Sequence, residues 1–277
     1  MSEITHVMTN SNLGLTRGRI GQRWKQLAGS IGLQLVSLML LLSCWLILSR
    51  IVTEDVLPTP WQTWAALIRA LQDGYVWNDM AITLNRTLGA FALAMSIGLM
   101  YGSLLGRVRL FQRIFSLWLV IAASIPSLLY LVITYLMFGL NDLAAVIGAG
   151  LVVAPSVTYN IWQGMKTLDP DLTEMARVFN VPGRTIFRHV ILPQTIPFIF
   201  AAARVGLALT WKIVIFVELL GRSSGVGYRI QYWYQLFNME RVLASALPFI
   251  LLMLVIELIV LRTLEARLFR WRRAEAQ

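Results

Sequence analysis

Six stretches of this chain are apolar for long enough to cross a lipid bilayer, and nothing else in the sequence limits its fold as tightly. They cover approximately residues 31–53, 83–106, 114–138, 143–162, 198–220 and 243–264. A hydrocarbon core takes about 20 residues of helix to span. Within it every backbone N–H and C=O must find its partner inside the segment, which leaves helices as the form such runs can take. The expectation is an all-α, polytopic membrane protein of about six transmembrane helices. Of 277 residues only 14% are charged, against about 25% in soluble domains, so the spans leave no room for a separate soluble domain. The expected organisation is an N-terminal segment over 1–30, a transmembrane domain over 31–264 and a basic tail over 265–277.

The net charge of +10 reads as topogenic, not as a nucleic-acid footprint, because basic residues hold cytoplasmic loops inside. With the N-terminus inside, the inner segments hold Arg17, Arg19, Arg23, Lys25, Arg107, Arg109, Arg113, Lys166, Arg177, Arg184, Arg188, Arg262, Arg267, Arg270, Arg272 and Arg273, 16 of the 24 basic residues. The outer side holds Arg50, Arg69, Arg86, Arg222, Arg229 and Arg241, while Arg204 and Lys212 fall within the fifth run. Both termini are expected in the cytoplasm of a cell whose inner membrane the chain crosses. Residues 18–28 read either as an amphipathic elbow on the inner surface or as a plain positive flank. Cys44 is the only cysteine and the two histidines, His6 and His189, stand far apart in sequence, so neither a disulfide nor a metal site is expected. Between the first two runs, Pro58 and Pro60 end a span, and Trp61, Trp64, Leu67, Ile68 and Leu71 recur at helical spacing, which predicts an interfacial helix.

The polar interval between the fourth and fifth runs, residues 164–197, cannot lie in lipid. Asp169 is a good N-cap, Pro170 suits the first helical position and Asp171 favours the positive helix end. Leu172, Met175, Ala176 and Phe179 follow at i, i+3, i+4 and i+7, a single apolar stripe on a helix too short to stand alone in water. Asn180 ends it in the left-handed region, where Asn is the best substitute for Gly. Pro182 and Gly183 permit a second short helix, which Pro193 and Pro197 carry to the start of the fifth span.

The segment from Glu174 to Pro193, E-M-A-R-V-F-N-V-P-G-R-T-I-F-R-H-V-I-L-P, resembles the E-A-A-x-x-x-G-x(9)-I-x-L-P loop of bacterial importer permeases of the ATP-binding cassette class. Glu174, Ala176, Ile191, Leu192 and Pro193 stand in the family's order. Met175 replaces the usual Ala and Asn180 the usual Gly. The resemblance extends over residues 57–264, through Leu57-Pro58-Thr59-Pro60, the spaced glycines of 87–106, Phe138-Gly139, Arg204-Val205-Gly206-Leu207, Trp211, Glu218-Leu219-Leu220-Gly221 and Gly225-Val226-Gly227. It is nearest to permeases for nitrate, sulfonates, taurine and similar small solutes, with a poorer match at Ala122–Ser127, which carries fewer prolines than relatives do. The resemblance implies a type I importer fold and an ATPase-coupling set of Leu172, Glu174, Met175, Ala176, Arg177, Phe179, Asn180, Pro182, Gly183, Ile191, Leu192 and Pro193. It implies a second permease subunit, two cytoplasmic ATPase subunits and an extracytoplasmic solute-binding protein. This chain is then no enzyme and binds no cofactor; ATP and Mg belong to the partner ATPase.

Lys212 lies about 14 residues into the fifth run, and an intramembrane lysine is costly unless it meets water or a partner. It reads as a cation on the translocation path that attracts an anion, beside Trp211, as a partner of Glu218 or Glu257, or as a residue nearer the span's end than the apolar run suggests. Pro126, flanked by Ser124 and Ser127, is expected to break the third span and free backbone carbonyls. With Tyr130 and Thr134 it forms either a polar cavity wall or a packing kink. Glu218 is placed to brace a gate or pair with a basic residue. Gly221-Arg222-Ser223-Ser224-Gly225-Val226-Gly227 lacks the G-K-[ST] of a phosphate loop, so Gly221, Gly225 and Gly227 read as a flexible loop that receives a binding protein. The rivals are the same importer for a neutral heteroaromatic solute, an ATP-independent secondary carrier, and a membrane-embedded enzyme, the last disfavoured by the lack of paired catalytic groups.

Overall fold

The computed structural model describes residues 32–53 and 56–268. The elbow over 18–28 and most of the basic tail lie outside the described residues. Two compact units divide between Trp64 and Ala65. In the first, α1 (Gly32–Ile51) is a single apolar helix exposed along nearly its whole length. Trp45 Nε1 donates to the Pro58 carbonyl at 3.1 Å, which fixes the chain returning from it. Helix α2 (Pro60–Gln72) opens with a reciprocal capping box: Thr59 N donates to Gln62 Oε1 at 2.7 Å and Gln62 N to Thr59 Oγ1 at 3.3 Å. Two of the orphan amides of the first turn are thereby satisfied. Trp61 and Trp64 are exposed on it, as an interfacial helix requires.

The second unit is built on α3 (Tyr75–Arg107), α6 (Asp142–Lys166) and α9 (Leu192–Gly221). Small residues let their backbones approach, the usual device where lipid offers no hydrophobic drive between helices. A Cβ on Gly102 would stand 2.8 Å from the Thr158 carbonyl, so α3 and α6 touch backbone to backbone there. Ala90, Ala145, Ala149, Val214 and Val217 form one buried cluster among the three helices, and Ala94, Val153, Val157, Ile161 and Ala202 a second. Helices α10 (Val226–Gln235) and α11 (Met239–Val255) pack beside them through Val226, Phe249 and Met253.

The third apolar run is broken, as expected at Pro126. It divides into α4 (Arg109–Ser124) and α5 (Ser127–Phe138), which meet at 93°. The break falls at Ile125-Pro126, where proline cannot donate its backbone bond and excludes its predecessor from the α region. The described residues therefore hold five helices long and apolar enough to cross a membrane, or six with the bent pair taken as one. The second short helix expected after Pro182 is present, and its passage into the fifth span is continuous. Helix α7 (Pro170–Val178) is separate, but α8 (Gly183–Ile186) runs through a π-helical turn at Phe187–Ile191 directly into α9. The wider turn absorbs the bond that Pro193 cannot make, and Pro197 sits within the helix that follows. A second π-helical stretch, Ile256–Leu261, links α11 to α12 (Arg262–Leu268).

Candidate functional site

Three neighbourhoods carry the chemistry. At the first, Asp169 Oδ1 accepts from the Asp171 amide at 2.9 Å and caps α7, with Pro170 in its first turn. The Asp169 amide donates to Gln194 Oε1 at 3.0 Å, tying the cap to the start of α9. Asn180 ends the helix at φ 54°. Ala176 and Ile186 turn inward and are buried. Leu172, Met175, Val178 and Phe179 remain bare, Phe179 at 75% exposure. Glu174 and Arg177 line, with Arg107 and Arg109, an open cleft of about 910 Å³ against the end of α3. Arg107 lies over the Phe187 ring at 5.2 Å and so meets the π-helical turn. Pro182 and Gly183 begin α8, and Ile191, Leu192 and Pro193 make the passage into α9.

The second neighbourhood holds the residues expected along a path. The break leaves Ser124 and Ser127 exposed. Ser124 Oγ donates back to the Val120 carbonyl at 2.8 Å, and Tyr130 Oη to the Ala122 carbonyl at 2.9 Å, which Pro126 leaves without its helical donor. Thr134 is different. It is buried, donates to the Tyr130 carbonyl and faces Gly148 of α6, so it packs two helices together and does not line open space. Trp211 and Lys212 also part company. Trp211 packs edge-on against Phe249 at 6.3 Å, within the α9–α11 core, whereas Lys212 lies on the exposed face of α9 with Val205 and Phe216. Neither carboxylate suggested as a partner reaches Lys212. Glu218 is bound to Arg86, and Glu257 to Arg204, which also pairs with Glu265. The nearest ring to Lys212 Nζ is Trp211, at 5.8 Å.

The third neighbourhood is a buried ionic network around Glu218, whose side chain is fully enclosed. It accepts from Arg86 Nη1 at 2.7 Å, from Thr83 Oγ1 at 2.9 Å and from the Gly227 amide at 2.8 Å. Arg86 spends its other donors on Asp142 Oδ1 and on the carbonyl and hydroxyl of Ser224. Asp142 also takes Arg222 at 2.6 Å. Asp79 accepts from Arg229 at 2.7 Å and from the Gly225 amide, and Thr83 accepts from the Val226 amide. Gly225 adopts φ 102°, and a Cβ on it would stand inside the Glu218 carboxylate, so glycine is required twice over. The segment between Gly221 and Gly227 is thus pinned by its backbone to α3 and α9, where a flexible loop was expected. Arg86, counted with the outer side, sits at the twelfth position of α3, buried.

The protein-family model for the binding-protein-dependent transport system inner membrane component matches residues 94–270. The chain belongs to this family. As an inner-membrane permease subunit it is a multi-pass transport component, and ATP hydrolysis falls to a separate subunit of such importers. It is 27% identical over 241 residues to a probable ABC transporter permease protein of Brucella melitensis, covering 87% of this chain and 97% of that one. It is 28% identical over 222 residues to a putative aliphatic sulfonates transport permease protein of Bacillus subtilis, covering 80% of each. Among solved structures, an inward-facing MetNI methionine ABC transporter superposes with a TM-score of 0.58 at 23% identity, over 71% of this chain and 95% of that one. That likeness supports the type I importer fold.

Sequence reasoning identified Glu218 in the permease's ionic network but missed Asp79, Thr83, Arg86, Asp142 and Arg229. One signal was available: Arg86 stands inside the apolar run that begins at Thr83, and an intramembrane cation demands a partner.

Proposed function

We propose that this permease, paired with a second copy of itself, forms the translocation path for a small anionic solute of the sulfonate, taurine or nitrate type. An extracytoplasmic binding protein delivers the solute, and two ATPase subunits, which hold ATP and Mg, grip α7. ATP closes the ATPases and draws the two α7 helices together, and the cavity turns from inward to outward opening; hydrolysis resets it. Residues 31–264 make the transmembrane domain, and both termini lie in the cytoplasm. The observation that carries the anionic reading is Lys212. It lies nine residues before the end of α9, about 14 Å at 1.5 Å per residue. Among the described residues no carboxylate pairs with it. A bare ammonium is not kept against lipid at that depth, so its face of α9 fronts a wet path, where a mobile anion relieves it.

Lys212→Met is expected to cut uptake in proteoliposomes containing the whole transporter by at least about tenfold, the scale of one lost charge-assisted hydrogen bond. Basal ATPase activity should stay near that of the parent. Lys212→Arg should keep part of the uptake, since charge matters more than shape for a mobile anion. Normal uptake by Lys212→Met overturns the assignment, and saturable uptake of a neutral heteroaromatic compound but no anion replaces it with the alternative solute class.

The orientation is checked by labelling in a Cys44→Ala background. Ser223→Cys is expected to react with an impermeant thiol reagent from outside and Val178→Cys only from inside. Ser223 is chosen because Ser224 is held by Arg86. Both chosen residues are exposed, so accessibility reports the side of the membrane, and reversed labelling refutes the orientation.

A further inference from the structure

The apolar run of α3 ends at Gly106, and Arg107 closes the helix. The chain turns at Val108 and enters α4 at Arg109. Basic residues at the end of an apolar span mark where hydrocarbon gives way to headgroups. The open cleft of about 910 Å³ lies at this corner, between Arg107 and Arg109 on one side and Thr173, Glu174 and Arg177 of α7 on the other. Three guanidiniums line it against two carboxylates, Asp169 and Glu174. Asp169 Oδ1 is already engaged by the cap of α7. Among the described residues none of the three arginines forms an ion pair. At about 100° per residue, Thr173, Glu174 and Arg177 fall on the side of α7 opposite Leu172, Met175 and Phe179, so a partner on that apolar surface leaves the cleft open. Beyond the arginines, α4 presents Leu110, Ile114, Leu117 and Ile121 at i, i+4, i+7 and i+11, all exposed. A cluster of uncompensated positive charge at a span end therefore continues into an apolar track.

We propose that this cleft binds the headgroup of an anionic phospholipid, its phosphate held by Arg107, Arg109 and Arg177 and its acyl chains laid along the exposed stripe of α4. The guanidinium fork matches phosphate oxygens in pairs. Basic pockets between helices at the membrane boundary suit such headgroups. A choline headgroup brings its own cation to the same arginines and is held less well. Arg107 and Arg109 belong to the spans and Arg177 to α7, so one bound phosphate ties α7 to the end of α3. Which leaflet supplies the lipid rests on the proposed orientation; the preference for an anionic headgroup does not.

The test is equilibrium binding of tail-labelled phosphatidylglycerol and phosphatidylcholine to the detergent-solubilised permease–ATPase complex. An arginine beside an anionic headgroup is worth about fivefold in affinity, so the parent is expected to prefer phosphatidylglycerol by at least about tenfold. Arg109→Gln should lose about fivefold of that preference, and the double variant Arg107→Gln/Arg109→Gln nearly all of it. Glu174→Gln removes a carboxylate from the cleft and should tighten phosphatidylglycerol binding. Arg184→Gln deletes the same charge from an exposed position outside the cleft and should change nothing. A parent without preference overturns the site, as does a full preference in the double variant at the parental melting temperature. An Arg184→Gln variant as weak as Arg109→Gln also overturns it, because a diffuse surface charge then holds the lipid. Displacement of the lipid by inorganic phosphate, but not by chloride at equal ionic strength, makes the cleft a site for a soluble anion and overturns the lipid assignment. The expected preference alongside reversed thiol labelling moves the lipid to the other leaflet and leaves the site standing.

Discussion

Arg86→Leu is expected to be the most destabilising single substitution in the ionic network. Removing the guanidinium strands Glu218, whose carboxylate is fully enclosed and loses the one ionic partner it has among the described residues. Breaking one side of a buried ion pair costs about 3–5 kcal/mol, because the remaining charge stays desolvated without compensation. The same substitution releases the Ser224 carbonyl and hydroxyl. The Gly221–Gly227 segment then hangs from α3 only through Thr83 and Asp79. Asp142 suffers less, since it is largely exposed and keeps Arg222. Glu218→Gln should cost less than Arg86→Leu, because Arg86 retains Asp142 and Ser224. The discriminating measurement is thermal unfolding of the detergent-solubilised complex with the double variant Arg86→Leu/Glu218→Leu included. If the stranded charge is the cause, the double variant melts above Arg86→Leu alone, since apolar replacement of a whole buried pair is often neutral. A double variant that melts below both singles would show that the pair's hydrogen bonds to Thr83 and Gly227, and not the charge, hold this end of the bundle together.

How much of this was legible in the sequence depends on the reach of each interaction. The short helix on Asp169 was legible because a cap, a proline and an i, i+3, i+4, i+7 stripe are all local, and Asn180 marks its own left-handed end. The break at Pro126 was legible for the same reason. The angle of 93° was not, because it depends on what α4 and α5 pack against. The π-helical turn before Pro193 was not legible, because local rules place a short helix after Pro182 and say nothing of how it joins the fifth span. Trp211 and Lys212 are neighbours in sequence, and proximity suggested a shared role. A helix turns about 100° per residue, which suffices to send one into the α11 core and leave the other bare. The network escaped because its partners lie far apart along the chain: Arg86 and Glu218 are separated by 132 residues. An arginine inside an apolar run announces that a partner exists without saying which carboxylate it is.

Phe179→Asp tests the proposed coupling surface, where the expected effect is on activity, with the fold left intact. Phe179 is 75% exposed and contributes nothing to the buried core, so the permease carrying Asp there should express, fold and assemble as a membrane protein. What changes is the face that we propose the ATPase grips. Leu172, Met175, Val178 and Phe179 form a continuous apolar surface on a helix of nine residues, held at one end by the Asp169 cap and at the other by Asn180. Such a helix is too short to persist by its own propensity. It is fixed here by its caps and by the single buried Ala176, which leaves the larger side chains free for a partner. Burying a phenylalanine contributes about 1.5–3 kcal/mol, so its loss alone weakens the grip by at least about tenfold. An unpaired carboxylate pressed into the same apolar pocket adds a desolvation cost of similar size. Solute-stimulated ATP hydrolysis in the reconstituted transporter should therefore vanish while basal hydrolysis by the ATPase persists. Ala176→Asp would not make the same point, since it attacks the buried side of the helix and unfolds the loop itself. Stimulated hydrolysis at the parental rate in Phe179→Asp would mean that α7 rests against the permease's own surface and that the ATPase is gripped elsewhere. The cleft of Arg107, Arg109, Glu174 and Arg177 is then the next surface to alter.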